Sequence, residues 1–154
     1  MPTINTNIII DAPPSTVRAA WLDFASFPSW NKFVSSVEPP DPTPGAHVLI
    51  TLYGGESPLE MIVRENTPDT FSWTGNIGPS WSCKGHHTLK FEPYGEVGGT
   101  GETGQCKLLS YEKFTGLFAW LILLFIREPT EQGYIQMNKD LKERAEAIAK
   151  GTAT

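Results

Sequence analysis

The feature that most constrains this chain is the order of its hydrophobic periods. Strand-like alternation opens it and fills its middle, and a single long helical stripe comes last, from Thr130 to Lys150. Along that stripe Tyr134, Asn138, Leu141, Ala145 and Ile148 share one face, while Lys142, Glu143, Arg144 and Glu146 lie largely on the other. One amphipathic helix closing a strand-rich chain buries its apolar face on the concave side of an antiparallel sheet. A strongly curved sheet cannot touch one helix along its whole length. The pairing therefore leaves an apolar cavity, the usual form of a small-molecule site. Five Trp, eight Phe and four Tyr are available to line it.

The remaining periods fit that plan. Ile4, Thr6, Ile8 and Ile10 alternate with Asn5 and Asn7, as in a strand with one buried face. Pro13, Pro14 and Ser15 then mark a helix start, with Ser15 the expected N-cap; Val17, Ala20, Trp21 and Phe24 follow at helical spacing. Residues 27–33 read as a second short helical turn. Residues 45–53, 59–65, 70–75, 82–92 and 105–114 read as strands, separated by Gly, Pro and Asn turn signals. The glycine-rich stretch 94–104 is expected to form a long, mobile hairpin tip. Nothing resembles an interdomain linker, so residues 1–154 are expected to form one domain.

Composition excludes several functions. The net charge of -5 and the scatter of the 12 Lys and Arg argue against nucleic acid, which needs a clustered basic surface. The most apolar run, residues 117–126, is half of the ~20 residues needed to span a bilayer. It is expected to be buried or to line the pocket, with a membrane-surface lip or a dimer contact around Trp120 as alternatives. Residues 1–10 lack the features of a secretory signal. With Cys83 and Cys106 expected as free buried thiols, the chain reads as cytoplasmic, a monomer or a homodimer without stable membrane insertion. No metal is expected: His86 and His87 are adjacent on a strand and face opposite ways, and no Cys-x-x-Cys pattern occurs. Glycines 98, 99 and 101 lack the strand-to-helix context of a dinucleotide loop, and no cofactor is expected.

Several short motifs occur together and in order. Ile8-x-Ile10-x-Ala12-Pro13-x-x-x-Val17 leads through Asp23-Phe24 to Phe27-Pro28-x-Trp30-Asn31. Phe71-x-Trp73-x-Gly75, Gly85-x-His87-x-Leu89-x-Phe91-x-Pro93 and Glu112-x-Phe114-x-Gly116 follow, and Met137-Asn138-x-x-Leu141-Lys142-x-Arg144 begins the closing helix. Over nearly its whole length the chain resembles the SRPBCC (START-like, helix-grip) superfamily, in particular its polyketide cyclase/dehydrase and lipid-transport branch. The resemblance implies an α+β fold, with about seven antiparallel strands curved around a C-terminal helix, two short helices after the first strand, and an internal ligand cavity. It differs from the branch in its longer glycine-rich tip and in Ser110, where histidine is common.

Strand alternation then selects the residues that meet the cavity. If Leu89 and Phe91 face inward, so does His87; if Leu108 and Phe114 do, so do Ser110 and Glu112. Paired as a hairpin, these strands bring His87 opposite or diagonal to Glu112, ~5 Å apart. A carboxylate there would raise the imidazole pKa and make His87 a general base near neutrality. The alternatives are a self-satisfied core pair and ligand hydrogen bonding without chemistry. Trp73, Trp81, Phe91, Phe114 and Tyr134 are candidates to pack on the ligand, and Ser110 and Asn138 to hydrogen-bond it. Glu60 and Arg64 share a strand face opposite Leu59, Met61 and Val63, and are expected in solvent. Together, resemblance and residues suggest a cofactor-free cyclase of the lyase or isomerase class. It would close a ring in a poly-β-ketone-type substrate by aldol or lactone formation, with His87 and Glu112 catalytic. The alternative is a non-catalytic carrier of a lipid, sterol or other hydrophobic metabolite.

Overall fold

A computed structural model describes residues 2–55 and 57–153. Met1 and Thr154, the ends of the expected 1–154 domain, lie outside the described residues, as does Glu56. The first strand, β1 (Thr3–Ile10), buries Ile4 and Ile10 and leaves Asn5 and Asn7 exposed. Helix α1 (Pro14–Leu22) follows, then a 3₁₀ turn (Phe24–Ser26) and helix α2 (Phe27–Trp30). Pro13, not Ser15, stands at the N-cap of α1. Pro14 begins the helix, where its missing N–H costs nothing. The Ser15 hydroxyl instead donates to Glu102 Oε1 at 2.5 Å, tying α1 to the glycine-rich tip. Trp21, Phe24 and Phe27 plug one end of the sheet, with the Trp21 ring 5.8 Å from Phe71 and 5.6 Å from Trp73, both edge-on.

The sheet continues with β2 (Val34–Glu38), β3 (His47–Leu52), β4 (Leu59–Asn66), β5 (Thr70–Asn76), β6 (Lys84–Val97) and β7 (Thr103–Thr115). All neighbours are antiparallel, in the order β1-β7-β6-β5-β4-β3-β2. Strand β2 is not legible in the sequence, and its burial explains why. Val34 and Val37 face the core three residues apart, because a register shift between Val34 and Ser36 breaks the two-residue period. The tip expected to be loose from 94 to 104 is mostly ladder: Tyr94 pairs with Gln105 and Val97 with Thr103 across a shift of register. Only residues 98–102 remain as the turn.

The closing helix α3 (Ala119–Ala149) begins well before Thr130 and carries Pro129 in its interior. It absorbs most of the apolar run 117–126, which is largely exposed rather than buried. Ala119 and Leu123 face the protein, but Leu117, Trp120, Leu124 and Phe125 face out, the last at 78% exposure. The reason is helical periodicity: the eight consecutive apolar residues from Ala119 to Ile126 must circle the helix, and only one side meets the sheet. Farther along, Tyr134, Met137, Asn138, Leu141 and Ala145 are buried, and Ile148 emerges to half-exposure. Asp140 fastens this half by accepting the backbone N–H of Lys32 at 2.9 Å. Gly116 turns the chain from β7 into α3 with φ 119°, and a Cβ there would come within 2.6 Å of the Ser82 carbonyl. Glu60 and Arg64 face solvent as expected, Glu60 pairing with His47 Nδ1 at 2.7 Å. Cys83 and Cys106 are buried and unpaired. Among the described residues, no helix is long and apolar enough to cross a membrane.

Candidate functional site

Between the concave sheet and the middle of α3 lies a cavity of about 280 Å³. Aliphatic side chains of β3 and β4 (Ile50, Leu52, Leu59 and Met61) form one wall, and Ile126, Pro129 and Thr130 of α3 form the other. His87, Glu112 and Tyr134 line it where β6, β7 and α3 meet, and Tyr53, Asn76 and Thr130 are the other residues with polar side chains in the lining. Of the aromatic candidates, Trp73, Phe114 and Tyr134 line the space. Phe91, Ser110, Asn138 and Trp81 do not, and each departure has a physical reason. Phe91 is buried in the core farther along β6, opposite Leu108. Ser110 is wholly covered and meets His87 from behind. Asn138 lies one helical turn past Tyr134 and donates to Thr6 Oγ1 at 2.9 Å. Trp81 sits in the turn before β6, 62% exposed, with its ring against Phe118.

The expected juxtaposition of His87 and Glu112 occurs, since the two are directly opposed on β6 and β7. The expected charging of the imidazole by the carboxylate does not. His87 has a second cross-strand neighbour, Trp73 on β5, and its ring turns that way. Indole Nε1–H donates to His87 Nδ1 at 3.2 Å. Because an indole can only donate, Nδ1 must be the unprotonated nitrogen, and Nε2–H therefore donates to Ser110 Oγ at 2.9 Å. Both ring nitrogens are thus used by neutral partners. Burial, helped by the nearby His86, pushes the His87 pKa down to about 3. The carboxylate was expected to raise it, but desolvation of the charged imidazolium dominates. His87 is a neutral, fully satisfied imidazole whose ring face lies beneath Tyr134, with centroids 4.4 Å apart and planes at 17°.

Glu112 is the group left near neutrality. It is buried in an apolar wall, and that burial pushes its pKa up to about 7 despite the opposing hydrogen bond from the Tyr134 hydroxyl. The same pairing, after burial, raises the Tyr134 phenol well above its ordinary range, so it remains a proton donor. One carboxylate oxygen, Oε2, accepts from Tyr134, and the other, Oε1, lies over Gly85. A Cβ at Gly85 would collide with Oε1, so the carboxylate occupies space that only glycine leaves open. Gly85 also lines the cavity, as does Gly75, where a Cβ would strike the Met61 sulfur.

The mouth was not identified from the sequence. Phe33 packs edge-on against Tyr53 and Tyr134, at 5.0 and 5.3 Å. The Tyr53 hydroxyl donates to the Pro129 carbonyl at 2.8 Å, joining the β3–β4 turn to α3. Both Phe33 and Tyr53 line the cavity. Glycines 54 and 55 beside Tyr53 were legible as a turn, but nothing local indicates that the turn meets a helix 76 positions away. Among the described residues, no group of three or more His, Cys, Asp or Glu could hold a metal ion.

A curled seven-stranded antiparallel sheet gripping a long C-terminal helix, with a cavity between them, is the helix-grip architecture of the SRPBCC superfamily. The sequence profile of the polyketide cyclase / dehydrase and lipid transport family matches residues 1–146, and the chain belongs to that family. No curated protein matches it by sequence. Solved structures show the same fold at low identity. A hypothetical protein from Helicobacter pylori superposes with a TM-score of 0.72 at 12% identity, covering 94% of this chain and 88% of the other. The protein Ara h 8.0201 gives 0.70 at 14%, covering 95% and 98%. A protein from Thermus thermophilus gives 0.69 at 15%, covering 96% and 99%. Family and cavity together define a protein that binds hydrophobic ligands.

Proposed function

We propose that this protein is a cofactor-free cyclase that closes a ring in a β-dicarbonyl substrate, with Glu112 as the proton-transfer group and Tyr134 as its partner. The observation that carries this reading is a buried carboxyl, held near pKa 7, facing an apolar cavity beside a phenolic donor. A base is most effective when its pKa lies near the working pH, and the carbon between two carbonyls is already acidic. Glu112 Oε1 takes that proton, and the C–H electron pair moves into the enolate. Protonation of Glu112 weakens its hold on the Tyr134 hydroxyl, which then donates to the enolate oxygen. The nucleophilic carbon attacks a third carbonyl farther along the same molecule, forming the C–C bond as that carbonyl's π pair moves onto its oxygen. The resulting alkoxide recovers the proton from Glu112, and loss of water completes an aromatic or unsaturated ring. The apolar walls fold the chain so that the reacting carbons meet. His87 supports this by fixing the plane of Tyr134, and takes no proton itself.

The test is deuterium incorporation α to the carbonyl of a small β-diketone in D₂O, followed by NMR. Exchange accelerated by the protein and abolished in Glu112→Gln supports the assignment. Equal acceleration by both proteins removes Glu112 from the chemistry.

One observation favours carriage instead. Leu117, just before α3, and Trp120, Leu124 and Phe125 on its first turns are exposed, and this part of the helix leads directly into the cavity wall at Ile126. In a carrier this apolar face would rest on a membrane while a ligand passes. Co-purified lipid at near one-to-one occupancy, seen by native mass spectrometry, would support that reading over catalysis.

A further inference from the structure

The charges around the cavity are one-sided. Among the described residues that line it, none is Lys, Arg or Asp, and Glu112 is the only carboxyl. The one imidazole, His87, has both nitrogens bound to neutral partners and cannot act as a cation. The Tyr53 hydroxyl at the mouth is already donating to Pro129. The Tyr134 hydroxyl donates to Glu112 Oε2 and is freed for a ligand only when Glu112 is protonated. Glu112 Oε1 carries no hydrogen bond among the described residues, and the remaining polar lining, Asn76 and Thr130, is neutral.

We infer that the cavity selects a compact, uncharged ligand that presents a carbonyl oxygen to Glu112 and Tyr134, and that it turns away the corresponding anions and ammonium compounds. This rests on the acid–base reading above and narrows it to a substrate class. A volume of about 280 Å³ is at the lower edge of the ~300–1,000 Å³ of small-molecule sites, too small for a long-chain lipid or an extended poly-ketone. A carboxylate or phosphate inside would be buried without a counter-charge and would face Glu112. An ammonium head would find a counter-charge in ionised Glu112, but only Oε1 and the Tyr134 oxygen to accept its three N–H donors there. One donor would stay unpaired, and two ions would be desolvated against apolar walls. A ketone has no donor to satisfy and accepts from Tyr134 or from protonated Glu112.

The experiment uses three probes with the same phenylethyl tail: 4-phenylbutan-2-one, 3-phenylpropanoate and 3-phenylpropan-1-amine. Binding to the full chain is measured by calorimetry at neutral pH, and shifts of the Trp73 and Tyr134 ring resonances locate it. The ketone is expected to bind saturably and perturb both rings. The propanoate is expected to bind at least about a hundredfold more weakly, because an acid with an ordinary pKa near 4.3 enters only in its scarce protonated form. Propanoate within tenfold of the ketone, amine tighter than the ketone, or no ketone binding would each overturn the inference. Ketone binding without protein-dependent deuterium exchange would instead sink the acid–base reading and leave the ligand class standing. Exchange catalysed in a charged β-dicarbonyl would do the reverse.

Discussion

Replacing Glu112 with Gln should make the protein more stable, and by an amount that depends on pH in a defined way. Burial raises the Glu112 pKa from its ordinary 4.5 to about 7 in the folded protein. Between those values the folded state holds a proton that the unfolded chain has released, so stability falls as pH rises through this window. At ~1.4 kcal/mol per unit, the loss accumulated by pH 8 is about 3 kcal/mol, a large fraction of the 5–15 kcal/mol that holds a typical domain together. Glutamine keeps an oxygen to accept from Tyr134 and cannot ionise. Its stability relative to the native protein should therefore climb by about 3 kcal/mol between pH 4.5 and pH 8, with all other titrations cancelling in the difference. His87 supplies the opposing control. Its pKa falls from 6.5 to about 3 on folding, so its contribution grows as pH rises from 3 to 6.5. In the native protein the two slopes oppose each other between pH 4.5 and 6.5 and flatten the profile there. Urea unfolding of both proteins across this range measures the effect. A difference that changes by less than about 1 kcal/mol, or that falls with pH, would show that Glu112 is not a buried, near-neutral carboxyl.

Removing the phenol with Tyr134→Phe deletes a hydrogen bond to a charged group worth about 1.5–3 kcal/mol, so the Glu112 titration seen by ¹³C NMR should move up by roughly one to two pH units. Substituting Gly85→Ala places a methyl on Oε1 and should displace the carboxylate, lowering deuterium exchange while β6–β7 amide protection persists. With Ser110→Ala the buried His87 N–H loses its acceptor, which should cost about 1–3 kcal/mol in urea unfolding. The double change Leu124→Ser and Phe125→Ser lies on an exposed helix face and should alter stability by no more than about 1 kcal/mol; flotation with lipid vesicles then shows whether that face meets membrane, by loss of co-migration.

The architecture was largely legible because each element carried its own period. Alternation marked β1 and the inward set of β6 and β7, and the stripe from Tyr134 to Ala145 marked the helix they grip. Errors fell where one local signal interrupted another. A bulge hid β2, Pro129 obscured the continuity of α3, and glycines made a paired hairpin end look like a loose tip. Residues at the site were legible by face: Trp73, His87, Glu112, Phe114 and Tyr134 all point inward as alternation requires. Alternation extends past the cavity, however, and so it could not separate Phe91 and Ser110, on the same faces but deeper in the core.

The sequence by itself therefore determined which side chains face the concave surface, because a strand or helix period is a property of consecutive residues. What those side chains do there was decided only by the tertiary structure. His87 stands between two cross-strand neighbours, and the local pattern cannot say whether its ring turns to Trp73 or to Glu112. The helix then delivers Tyr134, 22 residues from Glu112 in the chain, to the carboxylate that His87 leaves free. Burial completes the exchange of roles. Desolvation disfavours whichever form carries charge, so it neutralises the histidine and lifts the glutamate toward pH 7.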